Sequence, residues 1–123
     1  MVEIKKELEN SLRELRKIKG LMGSLLAKTD GLLIASDLPA RINSRLVAAM
    51  AAAIVKSSRY NSKEFKFGEV NNVIINASNG KYVCFLFGPV IFASLLKPKV
   101  NLGLVLLEME RKVKEIVGIL GIS

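Results

Sequence analysis

At 123 residues the chain is long enough for one hydrophobic core and too short for two, so residues 1–123 are read as a single domain. Half of the residues are apolar and 24% are charged, with a net charge of +8, which excludes a disordered chain and leaves a basic globular one. There is no histidine, which removes the commonest general base, the usual triads and most zinc sites; the lone Cys84 excludes a disulfide framework within the chain.

Residues 2–19 carry Ile4, Leu8, Leu12, Leu15 and Ile18 at spacings of four, four, three and three, the stripe of an amphipathic helix ended by Gly20. Glu9 with Arg13 and Glu14 with Lys17 are expected to pair along its solvated side. Charged residues interrupt this segment throughout, so it does not read as a signal peptide, and a cytoplasmic location is expected.

Residues 21–28 and 32–36 then read as two strands joined at Thr29-Asp30-Gly31, where Gly31 supplies the positive φ of a hairpin turn. Pro39 closes that unit. A second helix is predicted from about Ile42 to Arg59, capped by Asn43 or Ser44.

Residues 69–77 and 81–87 flank Asn79-Gly80, a pair suited to a type I′ hairpin turn because both residues tolerate left-handed conformations. After Gly88-Pro89, residues 90–96 form the next strand. Consecutive apolar residues at Val73 to Ile75 and Val83 to Phe87 indicate a sheet buried on both faces.

Pro98 ends the last strand, and Asn101 is placed to cap a third helix with Leu102, Val105, Leu106, Met109, Val113, Ile116, Val117 and Leu120 on its inner face. Glu108 with Lys112 and Glu110 with Lys114 would support its outer side. The order is αββαβββα: an α/β (α+β) domain with a five-stranded, mainly antiparallel sheet and helices on both faces.

On the second helix, Leu46, Val47, Met50, Ala53 and Ile54 are expected to face the sheet. The opposite side would then present Ala48, Ala49 and Ala52 between Arg41, Arg45, Lys56 and Arg59. Methyl groups between cations would let a second copy of the helix approach closely, so a homodimer is expected through this face.

The chemical inventory is thin. Asp30 and Asp37 lie near loops, and Asp30 before Gly31 reads as a turn residue. Neither a P-loop nor a dinucleotide fingerprint occurs, so no nucleotide, metal or other cofactor is expected and the chain is read as a non-enzyme.

Basic residues outnumber acidic ones six to four up to Lys19, three to three in the third helix, and ten to four between, an excess of six. That excess suits an acidic protein, nucleic acid or an anionic membrane. Without Trp, an RNP-like run or a compact Lys/Arg cluster, nucleic acid is not the expected partner. Ser24, Asn76 and Ser94 are the polar candidates for a small-molecule site.

The opening helix leading into Gly20-Leu21-Met22-Gly23-Ser24-Leu25-Leu26-Ala27, the hairpin Thr29-Asp30-Gly31-Leu32-Leu33-Ile34-Ala35-Ser36 and the alanine-rich second helix form one ordered set. Gly80-Lys81-Tyr82-Val83 and Asn101-Leu102-Gly103-Leu104 extend it. With these features the chain resembles the roadblock, or dynein light-chain, domain of Ras-like GTPase regulators, in particular its stand-alone archaeal and bacterial members. The resemblance implies a longin-like, profilin-like fold, and dimerisation through the second helix and the neighbouring edge strand.

It further implies a non-catalytic adaptor or regulator that binds a small Ras-like GTPase and controls its activity or location. The candidate dimer interface is Arg45, Ala48, Ala49, Ala52, Val55, Val73 and Ile75; Arg41, Arg45, Lys56 and Arg59 are the candidate partner contacts. The alternative is a longin-like module that binds a small molecule or an anionic surface, with no membrane-spanning segment but peripheral membrane contact.

Overall fold

The first apolar stripe folds as α1 (Val2–Glu14), tightened at its end by a 3-10 turn at Leu15–Lys17. Leu8, Leu12 and Leu15 are buried, while Ile4 is exposed. In the computed structural model, which describes residues 2–122, the chain continues through β1 (Leu21–Lys28), β2 (Leu33–Asp37) and α2 (Ser44–Glu64). Then follow β3 (Asn72–Ala77), β4 (Gly80–Phe87), β5 (Val90–Leu96) and α3 (Leu102–Leu120), so the order αββαβββα holds.

Every strand pairing is antiparallel, and the order across the sheet is β2-β1-β5-β4-β3. On one face Leu26, Val83 and Phe92 pack with Leu8 and Leu12 of α1 and with Val105, Met109 and Ile116 of α3. On the other face Leu25, Ala27, Cys84, Ile91 and Ala93 pack with Ala48, Ala51 and Val55 of α2. Ser24 and Ser94, opposite one another on β1 and β5, satisfy each other inside the sheet at 2.7 Å.

Local signals account for most boundaries. Gly31 takes φ +96°, and the Asp30 carboxylate accepts from Leu32 N–H at 3.1 Å, the turn role expected of it. Asn43 caps α2 and Asn101 caps α3, each accepting from the backbone N–H three residues on. Gly121, in the left-handed region, ends α3.

Several expectations are corrected. α2 runs five residues beyond Arg59, because the left-handed position after it is taken by Lys66 (φ 58°) and not by a nearer glycine. β3 begins at Asn72 and not at residue 69. The β3–β4 hairpin turns through Ser78-Asn79, with Ala77 paired to Gly80; neither Asn79 nor Gly80 takes a positive φ, so there is no type I′ turn at that pair. Gly80 instead meets a packing need, since a Cβ there would stand 3.2 Å from the Leu96 carbonyl oxygen.

The expected helical ion pairs are replaced by others. Arg13 donates to Asn10 at 3.0 Å and Arg111 to Glu108 at 3.0 Å. Lys112 reaches across the α1–α3 seam to Glu14 at 2.7 Å and bonds Glu115, three residues on in its own helix, at 2.8 Å. The seam draws Lys112 inward, away from Glu108.

Candidate functional site

α2 lies on the sheet turned well away from the expected orientation, although Val47 packs inward and Ala49 faces outward as expected. Ala48, Ala51 and Val55 are fully buried against the sheet, and Ala52 and Val47 are half-buried beside them. Leu46 and Met50, expected inside, are 55% and 54% exposed, and Ala53 is exposed with them. The surface beneath the helix explains this: Ala27, Ala93 and Cys84 leave room between Leu25 and Ile91, and the helix settles closest there through its own small residues. The close approach inferred for two helices is the approach of this helix to its own sheet.

Of the candidate interface residues, Ala48 and Val55 are therefore core positions and are not available to a second chain. Arg45, Ala49 and Ile75 are exposed, and Ala52 and Val73 are half-buried. The outer face of α2 is instead a stripe of Leu46, Ala49, Met50, Ala53 and, toward the far end, Tyr60. Beyond it Phe65 and Phe67 are exposed, their ring centroids 5.5 Å apart.

β3 completes this surface. It stands at the end of the strand order, with its outer edge unpaired, and most of its residues are exposed. The expectation that Val73, Ile74 and Ile75 are buried on both faces is thus corrected: Ile74 and Ile75 are both exposed. Val73 and Ile75 lie opposite Cys84 and Tyr82, on the α2 side of the sheet. Next to them Met22, Tyr82 and Leu95 line a shallow apolar depression.

The Tyr82 hydroxyl is buried near the Cys84 sulfur but meets no partner in full hydrogen-bonding geometry. Burial raises the Tyr82 phenol far above its ordinary range, and the neighbouring Cys84 adds to the shift. Burial likewise pushes the Cys84 thiol up from 9.0 to about 11, which keeps it protonated and unreactive.

The basic residues do not form one site. Arg41 precedes α2, while Arg45, Lys56 and Arg59 are exposed along one flank of it. Arg45 borders a cleft with Lys5, Glu9 and β2; Arg59 borders another with residues 68–71 and Gly88. Fourteen residues of helix hold the two about 21 Å apart. The small-molecule candidates are also divided, since Ser24 and Ser94 bond to each other and Asn76 lies on the exposed edge strand. Asp37 is engaged by Arg16 at 2.8 Å. Among the described residues no cluster of three metal-capable side chains occurs, and no helix is long and apolar enough to cross a membrane.

Residues 7–95 match the Roadblock/LC7 domain family. Two uncharacterised proteins of Methanocaldococcus jannaschii, MJ1340 and MJ0310, are each 35% identical to the chain over 109 residues, covering 89% of it and 96% of the relative. Among solved structures, MglB of Myxococcus xanthus superimposes with a TM-score of 0.86 at 19% identity, over 94% of this chain and 89% of that one. A Roadblock/LC7 domain from Streptomyces avermitilis gives 0.85 at 17% identity, over 91% and 96% of the two chains. The match over most of the chain, with relatives of 35% identity along nearly their whole length, settles the family: the chain belongs to the Roadblock/LC7 domain family.

Proposed function

We propose that this chain is a non-catalytic, homodimeric adaptor or regulator of a small Ras-like GTPase. The observation that carries the dimer is the exposed apolar stripe of α2 on the same side of the sheet as the apolar residues of β3, whose edge is unpaired. A second copy related by a twofold axis would bury both at once and continue the sheet through β3. A solved relative in fold, described as MglB with a tetrameric arrangement, supports self-association in proteins of this shape.

Leu46, Ala49, Met50 and Ala53 replace Ala48 and Val55 at the centre of the interface, with Val73 and Ile75 at its strand edge. Family membership supports the regulator or adaptor role in a GTPase system. Arg41, Arg45, Lys56 and Arg59 remain the candidate contacts to an acidic surface on the GTPase, two copies of each being available on a dimer.

Met50→Glu tests this reading, because it adds a charge to the outer stripe without touching the core. Light scattering is expected to give a monomer that retains its circular dichroism, and an affinity pull-down from native extract should recover a Ras-like GTPase with the parent chain. A Met50→Glu chain of unchanged dimer mass, or recovery of RNA alone, would reject the reading.

A further inference from the structure

One end of the sheet gathers lysines that are scattered along the chain. Leu96, at the end of β5, lies opposite both Leu21 of β1 and Lys81 of β4. The Lys97 N–H donates to the Gly20 carbonyl at 2.8 Å, and the Lys81 ammonium donates to the Pro98 carbonyl. Lys19, Lys81, Lys97 and Lys99 therefore surround a single crossing of backbone, and Lys17 is exposed just before it.

The nearest carboxylates on the flanking helices are already engaged, Glu14 by Lys112 and Glu108 by Arg111. Residues 15–29 and 70–107 contain no carboxylate, and the first turn of α3 carries none. Asp37, at the end of β2, is already engaged by Arg16.

Apolar groups follow the lysines directly along the chain. Val100 packs on Gly20, and the first two turns of α3 expose Leu104 and Leu107 by 44% and 47%. This combination lies off the outer face of α2.

We propose that this end of the sheet, with the start of α3, is a peripheral binding surface for an anionic lipid bilayer. Every cation in it is a lysine, a compact charge on a flexible stem suited to diffuse headgroups, and no free arginine fork is there to grip one phosphate. Leu104 and Leu107 can enter the headgroup boundary, as interfacial helices do. Single-stranded nucleic acid would require stacking surfaces, but the exposed aromatics Tyr60, Phe65 and Phe67 belong to the far end of α2, near the opposite end of the sheet.

The test is co-sedimentation of the full chain with phosphatidylcholine vesicles, with and without phosphatidylserine. Partition is expected only with phosphatidylserine, and it should be lost at high salt. Each lysine near an anionic surface is worth about five-fold in affinity, so Lys97→Glu with Lys99→Glu should lower partition more than ten-fold. Leu104→Ser with Leu107→Ser should weaken it several-fold at unchanged charge, whereas Lys56→Glu with Arg59→Glu should leave it intact. Absence of phosphatidylserine dependence, or equal loss from the α2 variant, would overturn the proposal. So would lysine-dependent capture of single-stranded RNA without vesicle binding. Self-association is expected to survive the Lys97→Glu, Lys99→Glu change, so failure here and failure of the dimer reading are separable.

Discussion

Gly23 and Gly118 differ in what surrounds them, and their substitution should act with opposite signs. A Cβ at Gly23 would stand 2.4 Å from the Asp37 carbonyl oxygen and 3.0 Å from the Leu38 Cα, both backbone atoms of the segment leaving β2. Gly23→Ala must push that segment away and should cost about 2–3 kcal/mol. Gly118, inside α3, has open space where its Cβ would be. Gly118→Ala should therefore add about 0.5–1 kcal/mol through helix propensity. Urea unfolding of the two variants beside the parent chain measures both, and a stable Gly23→Ala chain would refute the close approach.

At the scale of elements, the orientation of α2 has a direct consequence. Ala51 is fully buried between the helix and the small residues of the sheet, so Ala51→Leu should overpack that seam and cost about 1–3 kcal/mol. Thermal unfolding would show this as a lowered midpoint; an unchanged one would mean that the opposite face is inside. The long alanine-rich run made the helix itself legible, with Asn43 or Ser44 as its cap, but a ring of apolar residues on nearly every side of Leu46 to Val55 offered no polar face to fix its rotation. The size of the side chains beneath decided it, and those arrive from β1, β4 and β5, far away in sequence. The end of α2 was illegible for a different reason: Lys66 occupies a backbone conformation that sequence reading assigns to glycine. By contrast, the boundaries of β1, β5 and α3 were legible because glycine, proline and Asn101 act within a few residues of them. The outer α2 stripe could have been found from Leu46, Met50 and Tyr60 at helical spacing, had the alanines been assigned to the sheet.

For the whole molecule, the seam between α1 and α3 ties the two ends of the chain together. Hydrogen bonds from Lys112 and Ser11 hold the Glu115 carboxyl below its ordinary value, outweighing partial burial. Burial disfavours the Lys112 charge, yet its bonds to Glu115 and Glu14 raise it above 10.5 overall. A carboxyl depressed in the folded state contributes stability above its unfolded value, and that contribution is lost as pH falls through the folded one. The raised lysine contributes below its ordinary value and loses that contribution as pH rises past it. The seam is thus intact through neutral pH and weakens in acid below about 4.5. Between neutral pH and pH ~3 the parent chain should lose more stability than Glu115→Gln, by urea midpoints at each pH; equal losses would remove Glu115 from that account.

The lone thiol has a use that follows from its burial. Cys84 sits fully enclosed between the sheet and α2, and its raised titration keeps it in the slow-reacting form, so a thiol dye reaches it only when α2 lifts or the sheet parts. The chain carries one built-in clock for its own opening, and the rate at which that dye is consumed reads how often the face beneath α2 is laid open to water.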